Sequence, residues 1–252
     1  MLRLSYSQLD LYLRCPKQWY YRYIRRLPQS LTLALLVGDS VHRAIEKNFE
    51  QKIKSRIDLP IEVIQNAFTT HFDAQLYGIG IGEMQKASEA RSIGLGVITE
   101  YQQHRAPIIQ PLFVEFPFEI SLPELDCIFQ GKIDLIDENK VITDNKVSKR
   151  RYTQKRADES LQLTAYSYAY RKTQNEKESK LQFDVLLKSS NPTSQQIQTE
   201  RTEEQIAEFL LLVRRVRESI KAGSFIPQPG SNCFLCSYRG VCKSEEAAGN
   251  AI

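Results

Sequence analysis

Gly131-Lys132-Ile133-Asp134-Leu135-Ile136-Asp137-Glu138-Asn139-Lys140-Val141-Ile142-Thr143-Asp144-Asn145-Lys146 consists of two short apolar runs around a polar turn. Ile133, Leu135 and Ile136 belong to the first run and Val141 and Ile142 to the second, so the segment reads as two adjacent strands. Side chains alternate across a strand, which sends Asp144 and Lys146, two apart, out of the same face. Asp134 lies on the preceding strand. Two carboxylates brought together repel unless a cation sits between them, and a hard divalent ion that keeps water positions suits such a pair. A lysine beside them can orient an attacking water or offset charge developing on a phosphate. A solvated hairpin could carry the same residues, so the flanking sequence has to decide.

With 252 residues, 42% apolar and 25% charged, the chain has the composition of a soluble globular protein able to bury a substantial core. No apolar run is long enough to span a bilayer, and residues 1–12 alternate polar and apolar groups, so no membrane association is expected and a cytoplasmic location is the default. The formal net charge of +4 is too small to imply a nucleic-acid partner, but its distribution is uneven. Lys146, Lys149, Arg150, Arg151, Lys155 and Arg156 fall in one short run with no acid among them. A phosphate backbone approaching Lys146 would meet that run at once. Five cysteines without a secretion signal argue against a disulfide framework. Cys127, in an apolar strand, reads as a small buried side chain. Cys233, Cys236 and Cys242 are spaced C-x2-C-x5-C, which suggests a metal or cluster site in need of a fourth ligand.

Along the chain, Ser5 with Gln8 marks the start of a first helical region over residues 5–24, broken near Cys15 and restarted with Pro16 in its first turn. Trp19, Tyr20, Tyr21 and Tyr23 make the second piece aromatic. A helix opens at Gly38 and runs to about Lys54, with Val41, Ile45 and Phe49 inside and His42 and Glu46 one turn apart. Residues 59–104 are mainly helical around a glycine-rich loop at 78–82, and His71 and His104 within them read as structural or surface residues. Strands follow near 112–118, 127–135 and 141–144, then a helix from about 159 to 171 carrying Gln162 and Tyr166, and a strand at 181–187. Residues 188–200 form a loop or polar edge hairpin. Thr202 with Gln205 caps a last long helix that ends near Gly223. The order of elements predicts one α/β domain.

Taken together, six pieces in this order resemble the RecB-like branch of the PD-(D/E)xK nuclease superfamily, in its iron-sulfur forms represented by Cas4 and the AddB nuclease domain. They are the opening residues 4–7 with Cys15-Pro16, the segment from Gly38 to Glu46, Gly131-Lys132-Ile133-Asp134, Ile142-Thr143-Asp144-Asn145-Lys146, Gln162-x3-Tyr166, and the terminal cysteines. The resemblance implies a restriction-endonuclease-like core: a central mixed β-sheet flanked by helices, a helical insertion over residues 55–108, and terminal segments at 15 and 233–242 joined by a cluster, in a single domain over residues 1–252. It implies His42, Asp134 and Asp144 as ligands of Mg²⁺ or Mn²⁺, Lys146 as the catalytic lysine, and Glu46 in a supporting role. Gln162 and Tyr166 would contact the DNA backbone, beside the basic run of Lys149, Arg150, Arg151, Lys155 and Arg156. Four thiolates can hold zinc or an iron-sulfur cluster; the resemblance favours [4Fe-4S] on Cys15, Cys233, Cys236 and Cys242.

The implied function is metal-dependent hydrolysis of DNA phosphodiester bonds, as an exonuclease on single-stranded ends or flaps, in DNA repair or CRISPR adaptation. No G-x4-G-K-[ST] loop is present, so unwinding would need a helicase partner. Two other readings use the same cysteines: a noncatalytic iron-sulfur DNA-binding or assembly module, and a DNA glycosylase-like iron-sulfur protein, which would leave Asp134, Asp144 and Lys146 without a purpose.

Overall fold

The structure, a computed structural model, describes residues 1–247 and Gly249. It is an α/β fold whose central mixed sheet is flanked by helices. Strands β1 (Leu2–Leu4), β2 (Pro111–Leu122), β3 (Cys127–Asp137), β4 (Val141–Ser148), β5 (Lys180–Leu187) and β6 (Thr193–Thr199) take the order β1-β3-β4-β5-β6, with β2 also paired to β3. The chain divides into two compact units, one of residues 31–118 and 132–206, the other of residues 1–30, 119–131 and from Ala207 onward.

In the larger unit, α3 (Leu33–Ser55), α4 (Ile61–Gln75) and α6 (Ala87–His104) bury one face each. Leu36, Val41, Ala44, Ile45 and Phe49 of α3 meet Ile64, Phe68 and Phe72 of α4 and Val97, Ile98 and Tyr101 of α6, together with Leu135 of β3 and Leu186 of β5. The 3.6-residue spacing of these apolar groups forms the helices, and their burial holds them to the sheet. Helix α3 begins ahead of Gly38, because Thr32 Oγ1 accepts from the Leu35 N–H at 3.3 Å and so supplies the cap. Gly38 lies inside the helix. The 78–82 segment gives a turn followed by the short α5 (Ile81–Met84). Strands β3 and β4 are antiparallel with Leu135 opposite Thr143 and Ile136 opposite Ile142. Strand β4 is parallel to β5, so the chain must cross over between them, and it does so through α7 (Gln154–Asp158) and α8 (Leu161–Gln174). The polar stretch after β5 pairs as the edge strand β6, antiparallel to β5.

In the smaller unit, β1 pairs in parallel with the start of β3, Leu2 opposite Cys127. Helices α1 (Tyr6–Arg14) and α2 (Pro16–Trp19) meet at Cys15, whose extended backbone separates them, and α2 leads into a wide helical turn at Tyr20–Ile24. Helix α9 (Glu203–Lys221) starts in the larger unit and enters the smaller one, and α10 (Arg239–Ala247) follows near the end. No helix among the described residues is long and apolar enough to cross a membrane.

Candidate active site

The sequence-predicted residues of β3, β4, α3 and α8 come together in the larger unit. Asp134 and Asp144 stand on neighbouring strands, beside the Leu135–Thr143 pair. Asp144 is fully buried, its Oδ2 2.7 Å from Lys146 Nζ. This ion pair is its close partner, and neither carboxylate oxygen of Asp144 has a further hydrogen-bond partner. Asp134 is better provided for. Its Oδ1 accepts from the Tyr166 hydroxyl at 3.3 Å and its Oδ2 from the Asn145 backbone N–H at 3.1 Å. His42 Nδ1 lies 3.5 Å from the same Oδ2.

Burial, and after it the repulsion of Asp144, push the Asp134 carboxyl well above the ordinary carboxylate range, against the pull of Lys146 and the Asn145 N–H. At Lys146 burial disfavours the ammonium, but Asp144 and Asp134 outweigh it and raise the pKa. Burial lowers the pKa of His42, against an upward pull from Asp144, which favours the neutral imidazole. The site thus resists holding both carboxylates charged at once with one lysine beside them.

Glu46 accepts from Arg43 Nη1 at 2.8 Å, and both line a cavity of about 460 Å³ with Asp39, His42 and Glu115. Gln162 Nε2 donates to the Tyr166 hydroxyl at 3.1 Å. The basic residues Lys149, Arg150, Arg151, Lys155 and Arg156 are exposed where the chain leaves β4, with the Arg156 guanidinium 3.5 Å from the centre of the Tyr152 ring. Three neighbours went unread in the sequence. Glu115 has a left-handed backbone, φ 48°, inside β2, and its charge acts on both His42 and Asp134. It is the one acid in an otherwise apolar run from Pro111 to Phe118, which is the signal that could have found it. Asn145 sits in the middle of the Asp-x-Lys spacing and serves through its main chain. Tyr101, from the helical region at 55–108, donates to Asn145 Oδ1 at 3.4 Å, a contact that no local pattern announces.

The donor types here suit a hard divalent ion: two carboxylates, one of them buried with both oxygens unbonded, and one neutral imidazole. Their present arrangement is not a finished coordination shell, since no group of three or more His, Cys, Asp or Glu among the described residues is placed to hold a metal ion.

The same finding overturns the expected [4Fe-4S] cluster. Cys15, Cys233, Cys236 and Cys242 all line one cavity of about 300 Å³ in the smaller unit and form no disulfide. Lining a common wall is not convergence, however, and a cluster needs all four thiolates at bonding reach of its irons; among the described residues not even three ligands are so grouped. The terminal segments of this unit are joined by other means. Glu245 accepts from the Tyr21 hydroxyl at 2.7 Å and pairs with Lys17 Nζ at 3.1 Å and with Arg25. Trp19 stacks on Phe225, and the Tyr238 hydroxyl donates to the Leu27 carbonyl at 3.2 Å. The iron-sulfur branch and the CRISPR-adaptation role expected from it lose their support with the cluster.

A family model described as the PD-(D/E)XK nuclease superfamily matches residues 3–243. A crystal structure of a protein from Eubacterium rectale named as an exonuclease is similar over 94% of this chain and 87% of its own, at 15% identity and a TM-score of 0.56. The structure named SSO0001 covers 94% of this chain and 93% of its own, at 13% identity and a TM-score of 0.38. No curated protein matches the sequence.

Proposed function

This chain belongs to the PD-(D/E)XK nuclease superfamily and is in general terms a nuclease acting on nucleic acid, and from that premise we propose that it is a Mg²⁺- or Mn²⁺-dependent deoxyribonuclease, working as an exonuclease on single-stranded ends or flaps. The observation that carries the metal dependence is Asp144. A buried carboxylate without a further hydrogen-bond partner costs about 1–3 kcal/mol, which Lys146 at 2.7 Å offsets only in part, and the neighbouring Asp134 adds repulsion. A divalent cation would relieve both, held by Asp134 and Asp144 with His42 beside them. When bound, it supplies a water of lowered pKa and neutralises a phosphate oxygen. Asp134, fixed through both oxygens, holds its place in the site. Lys146, kept protonated by the two carboxylates, can orient the attacking water and balance charge on the phosphate. The exposed basic run beyond β4 supplies cations for the backbone of the substrate. The Eubacterium rectale protein named as an exonuclease shares the fold, which supports action at strand ends.

End-labelled single-stranded DNA of both polarities, with a circular control and Mn²⁺, is the decisive assay. Mn²⁺-dependent shortening from one labelled end, absent on the circle and absent in D134A, D144A and K146A, is expected. A circle cut as fast as the linear strand would replace the exonuclease reading with an endonuclease one. Full activity in either aspartate variant would remove the assigned centre.

A further inference from the structure

We infer that Tyr166, backed by Gln162, is a positioning residue for Asp134, so that this pair governs divalent-cation affinity and does not grip the DNA backbone. The inference rests on the metal-dependent reading above. Gln162 and Tyr166 are one turn apart on α8 and therefore share a face. The Gln162 amide donates to the tyrosine oxygen at 3.1 Å, which leaves the hydroxyl proton for Asp134 Oδ1 at 3.3 Å. Tyr166 is only 5% exposed, and its hydroxyl already serves both partners. A phosphate could take that hydroxyl only by displacing the Asp134 carboxylate from it.

The other oxygen of Asp134 is fixed independently by the Asn145 N–H at 3.1 Å. One donor on each oxygen sets the plane of the carboxylate, and each oxygen keeps a second lone pair for a cation. Asp144 has no such pair of fixed donors: Oδ2 faces the Lys146 ammonium at 2.7 Å, and neither oxygen has a further hydrogen-bond partner. The two carboxylates are therefore held differently: Asp134 by one hydrogen-bond donor on each oxygen, Asp144 by the Lys146 ammonium on one oxygen. Partners that orient a ligand in this way commonly change metal affinity or activity about 10- to 100-fold when removed.

The test measures Mn²⁺ binding by calorimetry and single-stranded DNA binding in EDTA, on the full chain, for wild type, Y166F and Q162L. Y166F keeps the ring and deletes only the hydroxyl. We expect its Mn²⁺ affinity to fall roughly 10-fold or more, its DNA affinity in EDTA to stay within about twofold of wild type, and its cleavage to recover at high Mn²⁺. Q162L, which removes the support behind the hydroxyl, should shift Mn²⁺ affinity the same way by less, and it carries the test if Y166F does not fold. Wild-type Mn²⁺ affinity in both variants, or weakened DNA binding in EDTA with Mn²⁺ binding intact, would overturn the inference while leaving the nuclease reading in place. Wild type that binds no Mn²⁺ would overturn both.

Discussion

At Asp144 the fold keeps a buried carboxylate without a hydrogen bond, beside a second acid, with one ammonium 2.7 Å away. Two substitutions should therefore move stability in opposite directions in EDTA. D144N removes a desolvated charge and the repulsion on Asp134, so it should raise the apo midpoint by roughly 2–6 °C, about 1–2 kcal/mol, while cleavage disappears. K146A leaves the two carboxylates uncompensated and should lower the midpoint by a similar amount, the effect being modest because the lysine is 29% exposed. Thermal unfolding followed by circular dichroism reads both, and a D144N variant less stable than wild type would refute this electrostatic account. The residues that matter here were legible to different degrees. Asp144 and Lys146 follow from strand alternation and Asp134 from its place on the preceding strand, whereas His42 was singled out as a site residue only through the resemblance. Asn145 contributes a main-chain N–H, and a peptide N–H is not written in side-chain pattern, whereas Glu115 was marked only as the one acid in an apolar run.

Among the elements, caps and periods were the most readable features. Thr202 Oγ1 accepts from the Gln205 N–H at 3.2 Å, and Gln205 Oε1 accepts in return from the Thr202 N–H at 3.0 Å, the capping box expected from their spacing. T202A should cost about 1 kcal/mol in urea unfolding, and Q205A less. Close approach between helices was not readable. Gly94 on α6 faces Phe68 on α4, and a Cβ there would stand 2.1 Å from the ring's Cζ. The ring is fully buried and stacked on Phe72 with centroids 5.6 Å apart, so it has little room to yield. G94A gains about 1 kcal/mol of helix propensity but should lose about 1–3 kcal/mol to overpacking. A net loss is expected, recovered in part by the F68L/G94A double variant. A G94A protein as stable as wild type would mean that the ring moves aside freely. The cysteine spacing marks the opposite limit: C-x2-C-x5-C brought its members to one cavity wall, but sequence spacing does not fix side-chain convergence, and no ligand group resulted among the described residues.

Over the whole molecule, the order of strands and helices was legible because hydrophobic period and turn chemistry are local, whereas the polar pairs that tie distant elements together were not. Arg105, just after α6, and Asp184 on β5 are buried together, the guanidinium Nη2 2.9 Å from Asp184 Oδ2 and Nε 3.1 Å from Oδ1. Seventy-nine positions separate them, and nothing in either local sequence marks the partnership. Burial dominates this pair. It pushes the Asp184 carboxyl up to about 6 even though Arg105 pulls it down. A folded-state pKa above the unfolded value means that the native state holds the proton more tightly, so this group's contribution to stability is fully present below about pH 4 and is lost as pH rises through about 6. The shift of about two units corresponds to roughly 3 kcal/mol. Urea unfolding of wild type between pH 4.5 and 7 should show that loss superimposed on the other titrations, and the D184N curve subtracted from it should isolate it. D184N itself should be destabilised by about 3–5 kcal/mol at pH 7, because it removes the carboxylate charge facing a buried guanidinium, while replacing both partners, as in R105M/D184L, should recover most of that. If wild type and D184N have the same pH dependence across this window, then the ion pair outweighs burial and Asp184 is an ordinary ionised carboxylate in the native state.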